Sequence, residues 1–466
     1  MKSVEDGKSD KNLHEAKTYT GIYRMHKYWS KKPYNIVRTL IKRYSKNGEI
    51  ILDPFCGSGI SINESILLNR KSIGIDINPI AIFITKQLLT KISVNDLNEE
   101  FKSLKDDVRS DINSSYKVSR GDNVFVGTHF LWSEGELVEV RYRKHNSRKK
   151  ILDEPTKKDV DLAKSFTKDK ISKFYPNNKL IYNTRINAQK NMRVCDLFSN
   201  RNLYSLSILL DRINKIKKRN IRDILRFCFT SALGQTTKMV FVIKKRGGKL
   251  LKKKQLGSWI IGYWIPDEHF ELNVWNCFEN KFRIIKRAKL KQKKLDYRIK
   301  ASKTFDDLSN KKNLLLLNAP SQKALKKFPD DSIDYIITDP PHGNRQPFLE
   351  LSMIWNSWLN FEVNYEDEIV ISFSKERHKS SQEYYKLITL VFREIERVLK
   401  PNRYFTLMFN SLDKQSWESL FQCIDKFNFE MDKTEYLNYS SNSVLQDTRK
   451  FSLKKDFILT FKKIAN

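Results

Sequence analysis

Two short loops carry the chemistry most legible in this chain. Asp53-Pro-Phe-Cys-Gly-Ser-Gly59 follows the apolar run Glu49-Ile-Ile-Leu, and Thr338-Asp-Pro-Pro-His-Gly-Asn344 follows Ser332-Ile-Asp-Tyr-Ile-Ile. Gly57 and Gly59, lacking a Cβ, let the backbone turn sharply and approach a ligand closely. Pro340 and Pro341 fix the second loop and remove two amide donors, while their carbonyls stay free to accept. Asp339 and the Pro340 carbonyl thus form a pair of acceptors matched to the two N–H bonds of an amine. A ring amine held this way, its lone pair otherwise delocalised, would aim that pair at an electrophile, with His342 stacking on the ring. Ligands of parallel sheets gather outside the carboxyl ends of the strands. One site built from both loops is therefore expected.

The elements that must position these residues follow from periodicity. Ser58 to Leu68 predicts a helix with Ile60, Ile62, Ile66 and Leu67 on a mostly apolar face. Lys71–Asp76 predicts a strand ending in an acid about twenty residues after the Gly loop, where nucleotide-binding units place a carboxylate on ribose hydroxyls. Pro79 suits the first turn of a following helix. No Gly-Lys-Ser/Thr follows the glycines, which excludes a P-loop, and the missing G-x-G-x-x-G argues against a nicotinamide enzyme. Strands are expected at Leu314–Asn318, Ile333–Thr338, Tyr404–Phe409 and Lys455–Phe461, with a helix around Tyr384 to Leu399. Such alternation predicts an α/β protein, a mostly parallel sheet with helices on both faces. Residues 1–19 read as a polar tail and 20–97 as the first half of the unit. A basic insertion at 98–310 separates it from the second half at 311–466. Within the insertion, Tyr204–Ile216 and Ile221–Leu233 read as helices and Ile260–Ile265 as strand-like. Gly247-Gly248 reads as a flexible, phosphate-facing loop.

The chain has 466 residues and a formal net charge of +33. A field of this size favours polyanions, most simply nucleic acid, although a Lys-rich solvated surface from an AT-rich genome reads the same. The basic runs cluster in the middle of the chain, which favours nucleic acid. Lys244, Lys245, Arg246, Lys249, Lys252, Lys253 and Lys254, with Asn344 and Arg345, are the candidate contacts. Trp132, Trp259, Tyr263, Trp264, Trp275 and Tyr297 would reach bases there, but packing is the commoner use of such rings. Five scattered cysteines with no C-x-x-C speak against structural zinc and for a reducing, cytoplasmic location. Cys56 reads as a small buried side chain rather than a nucleophile. No apolar run reaches a membrane span, and Met1 to Tyr19 lacks the apolar core of a signal peptide.

The two loops resemble the D-P-F-x-G-x-G and D-P-P-Y signatures of the S-adenosylmethionine-dependent amino methyltransferases of DNA. Met25-His-Lys-Tyr-Trp-Ser-Lys-Lys-Pro33 is similar to the H-K-Y-W-x-(K/R)-(K/R)-P stretch of one group of bacterial DNA methylases. Phe328-Pro-Asp-Asp-Ser-Ile-Asp334, Glu350–Leu359 and Arg397-Val-Leu-Lys-Pro401 also look familial. The resemblance implies a Rossmann-like class I methyltransferase fold. It also implies S-adenosyl-L-methionine held by Asp53, Pro54, Phe55, Gly57, Gly59, Asp76 and Asp339, and catalysis at Asp339, Pro340, Pro341 and His342. His342 departs from the family's Tyr. The implied reaction is methylation of an exocyclic amine of double-stranded DNA after base flipping. Adenine N6 is favoured over cytosine N4 because N4 enzymes more often carry Ser at the position of Asp339. The insertion would be the target-recognition region, and any restriction nuclease or defence-system subunit a separate chain. Two alternatives stay open: an RNA methyltransferase of the tRNA guanine-N2 type, and a non-catalytic nucleic-acid-binding subunit.

Overall fold

The computed structural model describes residues 16–144, 149–259, 262–343, 346–410, 414–438 and 455–465. The first strands are β1 (Ile50–Asp53) and β2 (Lys71–Asp76). The insertion contributes β3 (Lys117–Arg120), β4 (Asn123–Ser133), β5 (Glu136–Arg143), β6 (Lys150–Asp153), β7 (Val240–Arg246), β8 (Lys249–Trp259) and β9 (Glu268–Leu272). The chain then gives β10 (Ala301–Ser302), β11 (Leu314–Asn318), β12 (Ile333–Thr338), β13 (Leu399–Phe409), β14 (Phe429–Asn438) and β15 (Lys455–Lys463).

Eight of these form one sheet in the order β10-β11-β2-β1-β12-β13-β15-β14, parallel except for β15, which runs antiparallel to both of its neighbours. Without the edge strand β10, this is the strand order of a Rossmann-like class I methyltransferase. β12 is buried at every position, as expected of a parallel strand covered on both faces, and its one charged residue, Asp334, is paired with Lys400 at 2.6 Å. The main sheet resumes at β10, before Leu314, because Ala301 and Ser302 pair with β11. Strand order reverses between β1 and β12, where Leu52 lies opposite Ile336. This switch point brings the ends of the two loop-bearing strands together.

The insertion's strands form a seven-stranded antiparallel sheet, yet they build no isolated core. Phe227 and Phe229 of the helix Arg219–Leu233 belong to the same apolar cluster as Ile80, Ile84 and Trp355 of the methyltransferase half. Two sequence expectations shift for local reasons. The helix after the Gly loop starts at Ile60, not Ser58, because Gly59 sits at φ +72°. The strand-like reading of Ile260–Ile265 lies partly outside the described residues, and its remainder is irregular. Gly262 turns there at φ +103°, with no room for a Cβ beside the Ile186 carbonyl. No helix among the described residues is long and apolar enough to cross a membrane.

Candidate active site

The Gly loop is shaped by two left-handed residues, Gly57 at φ +49° and Gly59 at φ +72°. A Cβ at Gly59 would lie 2.4 Å from the Thr85 side chain, and one at Gly57 would lie 3.2 Å from the Tyr28 ring. Both positions therefore need glycine for space as well as for conformation. Asp76, at the end of β2, accepts from the Gly57 and Asn78 amides at 2.8 Å each. Asp53, at the end of β1, accepts from the Phe55 amide at 3.0 Å, the Thr338 hydroxyl at 2.7 Å and the Ser61 hydroxyl. The Thr338 bond ties the Gly loop to the end of β12.

These groups face one cleft, with about 960 Å³ of empty space including its mouth. Asp53, Phe55, Gly57, Asp76, Asp339 and Pro341 line it, joined by Tyr28, Lys31, Lys32, Phe348, Ile369 and Glu368. Pro54 and Gly59 lie behind the loop; the Pro54 carbonyl accepts from Ser321, and Gly59 packs on Thr85. Burial pushes the Asp76 carboxyl up to about 7 and the Asp53 carboxyl up to about 6, against the hydrogen bonds each receives. Desolvated carboxylates beside apolar walls suit a ligand carrying cationic centres and hydroxyls on an apolar frame. S-adenosylmethionine, with its sulfonium, ammonium, ribose diol and adenine, has that chemistry.

Asp339 stands where β12 ends. Its Oδ2 pairs with the Lys32 ammonium at 3.0 Å. Its Oδ1 lies 3.0 Å from His342 Nε2, but out of line, so this buried oxygen takes part in no hydrogen bond among the described residues. The His342 ring packs against Phe409 at 4.7 Å, and with Pro340 it lines a small adjoining cavity beside Tyr384. The Pro341 carbonyl accepts from the Tyr384 hydroxyl at 2.6 Å. Asn344 and Arg345 lie outside the described residues.

The sequence reading did not single out what the Met25–Pro33 segment does. His26 is buried against Phe227 and Trp355, its Nε2 3.1 Å from the Thr230 hydroxyl, and burial lowers it to about 3. Tyr28 receives an Asn78 bond at 3.2 Å and stacks on Phe348. Trp29 lies between Trp259 and Trp355. Lys31, buried and lowered to about 7, donates to the Tyr23 and His26 carbonyls at 2.9 and 3.0 Å. The segment therefore forms one wall of the cleft and locks the insertion to both halves of the sheet. Its signal was the unusual density of aromatic and basic residues.

The basic residues of the insertion fall in two places. Lys244, Lys245, Arg246, Lys249, Lys252, Lys253 and Lys254 lie on the β7–β8 hairpin, whose turn is Gly247-Gly248. Lys244 and Lys254 are held by Glu268, the former at 2.5 Å. Elsewhere a concavity with about 1560 Å³ of empty space including its mouth is rimmed by Arg109, Arg143, Lys144 and Lys150. Of the candidate aromatics, Tyr263, Trp275 and Tyr297 are buried, Trp132 and Trp259 are half-buried, and Trp264 is exposed.

Residues 3–87 match the DNA methylase family, N6_N4_Mtase. The chain is 32% identical over 87 residues to type II methyltransferase M.MjaII of Methanocaldococcus jannaschii, covering 19% of this chain and 16% of that protein. It is 29% identical over 140 residues to type II methyltransferase M.HpaI of Haemophilus parainfluenzae, covering 29% and 45%. The matches thus span less than half the length of either relative. Among solved structures, a putative rRNA-methylase from Clostridium thermocellum is matched over 93% of this chain and 96% of its own, at 7% identity and a TM-score of 0.29. Its amino-terminal residues 3–87 thus resemble the DNA methylases, and its strand order is that of a Rossmann-like class I methyltransferase.

Proposed function

We propose that the protein transfers a methyl group from S-adenosylmethionine to an exocyclic amine of a base in double-stranded DNA, adenine N6 in preference to cytosine N4. The observation that carries this reading is the state of Asp339, a carboxylate at the switch point whose buried Oδ1 makes no hydrogen bond among the described residues, His342 Nε2 at 3.0 Å standing out of line. An unpaired buried acceptor is costly unless a ligand supplies the donor, and an amine N–H is such a donor. The cofactor supplies an electrophilic methyl group on sulfur. Asp339 and the Pro340 carbonyl hold the amine hydrogens and so direct its lone pair. Asp53 and Asp76 hold the cofactor's polar ends, and Phe55, Phe348 and Ile369 exclude water. Asp339 as the leading residue of the loop supports adenine. The base must leave its helix to reach this depth, and the hairpin and the basic concavity offer cations to the flanking phosphates. Any nuclease paired with this activity would be a separate chain.

Mass-spectrometric nucleoside analysis of DNA from cells expressing the protein tests the reading. N6-methyladenine is expected. N4-methylcytosine would correct the base, and unmodified DNA would overturn the reading.

A further inference from the structure

Phe373 is 80% exposed. A single apolar side chain in water is ordinary; its mounting is not. Two residues earlier, the Ile371 amide donates to the Gly343 carbonyl at 3.2 Å, next to the catalytic Pro-His pair. The Ile371 side chain fills the space where a Gly343 Cβ would stand. The Ser372 amide donates to the Lys379 carbonyl at 2.9 Å, closing residues 372–379 into a small loop. Buried Arg377 braces this loop from below, reaching Glu350 at 3.2 Å and Glu368 at 2.5 Å, with its guanidinium over the Tyr365 ring at 4.7 Å. Glu368 is itself a wall of the cofactor cleft. The fold thus holds an unburied phenyl ring on a stiff loop, fixed on one side to the catalytic loop and on the other to the cleft wall. Phe373 lines neither the cleft nor the cavity behind His342. It follows the cleft-lining Ile369 by four residues, with Lys375 exposed on the same loop.

We propose that Phe373 enters the DNA helix and fills the space left by the target base when that base swings out to Asp339. This rests on the reading of the site as a DNA methyltransferase. Extruding a base forfeits its stacking on both neighbours, and an aromatic ring that enters the gap can stack on the bases left exposed. A ring already held rigid gives up little conformational freedom on entry. His342 is poorly placed for this task, because it is packed on Phe409 and lies beside Asp339 inside the site.

The test is binding to a duplex carrying the site at which DNA from expressing cells is methylated, with the target nucleotide made abasic and S-adenosylhomocysteine present. Such a duplex has the gap but no base to capture. The wild-type protein is expected to bind it about 10- to 100-fold tighter than Phe373→Ala, and Phe373→Trp should bind nearly as well as wild type. Cofactor affinity measured on Phe373→Ala serves as the control for an intact fold. Equal binding of the abasic duplex, with a loss only on the intact duplex, would mean that the ring stacks on the flipped base and would overturn the proposal. No loss on either duplex would also overturn it. A wild-type protein that methylates no DNA removes the underlying reading as well, whereas one that methylates while Phe373→Ala binds the abasic duplex normally removes this proposal alone.

Discussion

Asp339, Asp53 and Asp76 are three carboxylates placed differently by their surroundings. Asp339 keeps an oxygen that makes no hydrogen bond among the described residues, so Asp339→Ala should abolish methylation, a loss of several kcal/mol in transition-state stabilisation, with the fold intact by circular dichroism. Full activity in that variant would remove it from the chemistry. Asp53 and Asp76 are raised to about 6 and about 7 by burial. Each therefore binds its proton more tightly in the folded protein than in the unfolded chain. Folding stability without cofactor should fall as pH rises from about 4 through 7, because ionisation is then easier in the unfolded chain. Binding of a cationic cofactor should move the opposite way, weakening as the pH drops from about 7.5 to about 5.5 and the carboxylates gain protons. Calorimetric titration across that range checks this, and a flat profile would separate both carboxylates from the cofactor's charge. Lys32 competes with any amine for Asp339 Oδ2 at 3.0 Å. The amine is therefore directed to Oδ1, and the pair can persist while the base binds, holding the carboxylate in place. Lys32→Met should then lower kcat about tenfold, the cost of losing one hydrogen bond to a charged group. Steady-state kinetics on duplex DNA measure this.

At the scale of elements, the Gly loop and the β7–β8 hairpin make contrasting predictions. Gly59→Ala forces a Cβ to 2.4 Å from Thr85 in a left-handed backbone. About 1–2 kcal/mol of strain is expected from the conformation alone, with the clash added, and it should appear as a lower Tm and weaker cofactor binding. In the hairpin, Lys244 and Lys254 are already held by Glu268. The cations left for phosphate are Lys245, Arg246, Lys249, Lys252 and Lys253. Replacing these five with alanine should weaken binding to every duplex alike and reduce the slope of log affinity against log salt by up to about 4. A loss confined to one sequence would place base-reading groups there instead. Replacing Lys244 and Lys254 should change the slope less.

At the scale of the whole molecule, the insertion is fused to the sheet rather than hung from it. Its own anchor is a buried pair, Arg201 and Glu271, with Glu271 also accepting from Trp132 at 2.9 Å. Glu271→Gln leaves the Arg201 charge buried without a counter-ion, and about 3–5 kcal/mol of stability should be lost in denaturant unfolding. Because Phe227 and Trp355 share one core across the junction, that loss should appear in a single transition rather than two.

Local signals in the chain were enough to determine the site's two loops and the strands that carry them. β11 (Leu314–Asn318) and β12 (Ile333–Thr338) have the bounds that their apolar-rich segments indicated, since strands of a sheet covered by helices are largely apolar. The Gly loop was legible because left-handed backbone and close packing on Thr85 both demand residues without a Cβ. Only the tertiary structure decided which residues meet. Lys32 and Asp339 lie about three hundred residues apart in sequence, and no local pattern records their pairing. His342 resembles a stacking residue by position, yet its ring packs against Phe409, which belongs to a distant strand. Strand boundaries follow from each segment's own burial, while partners across the cleft follow from the order in which strands pair, and that order is a property of the whole sheet.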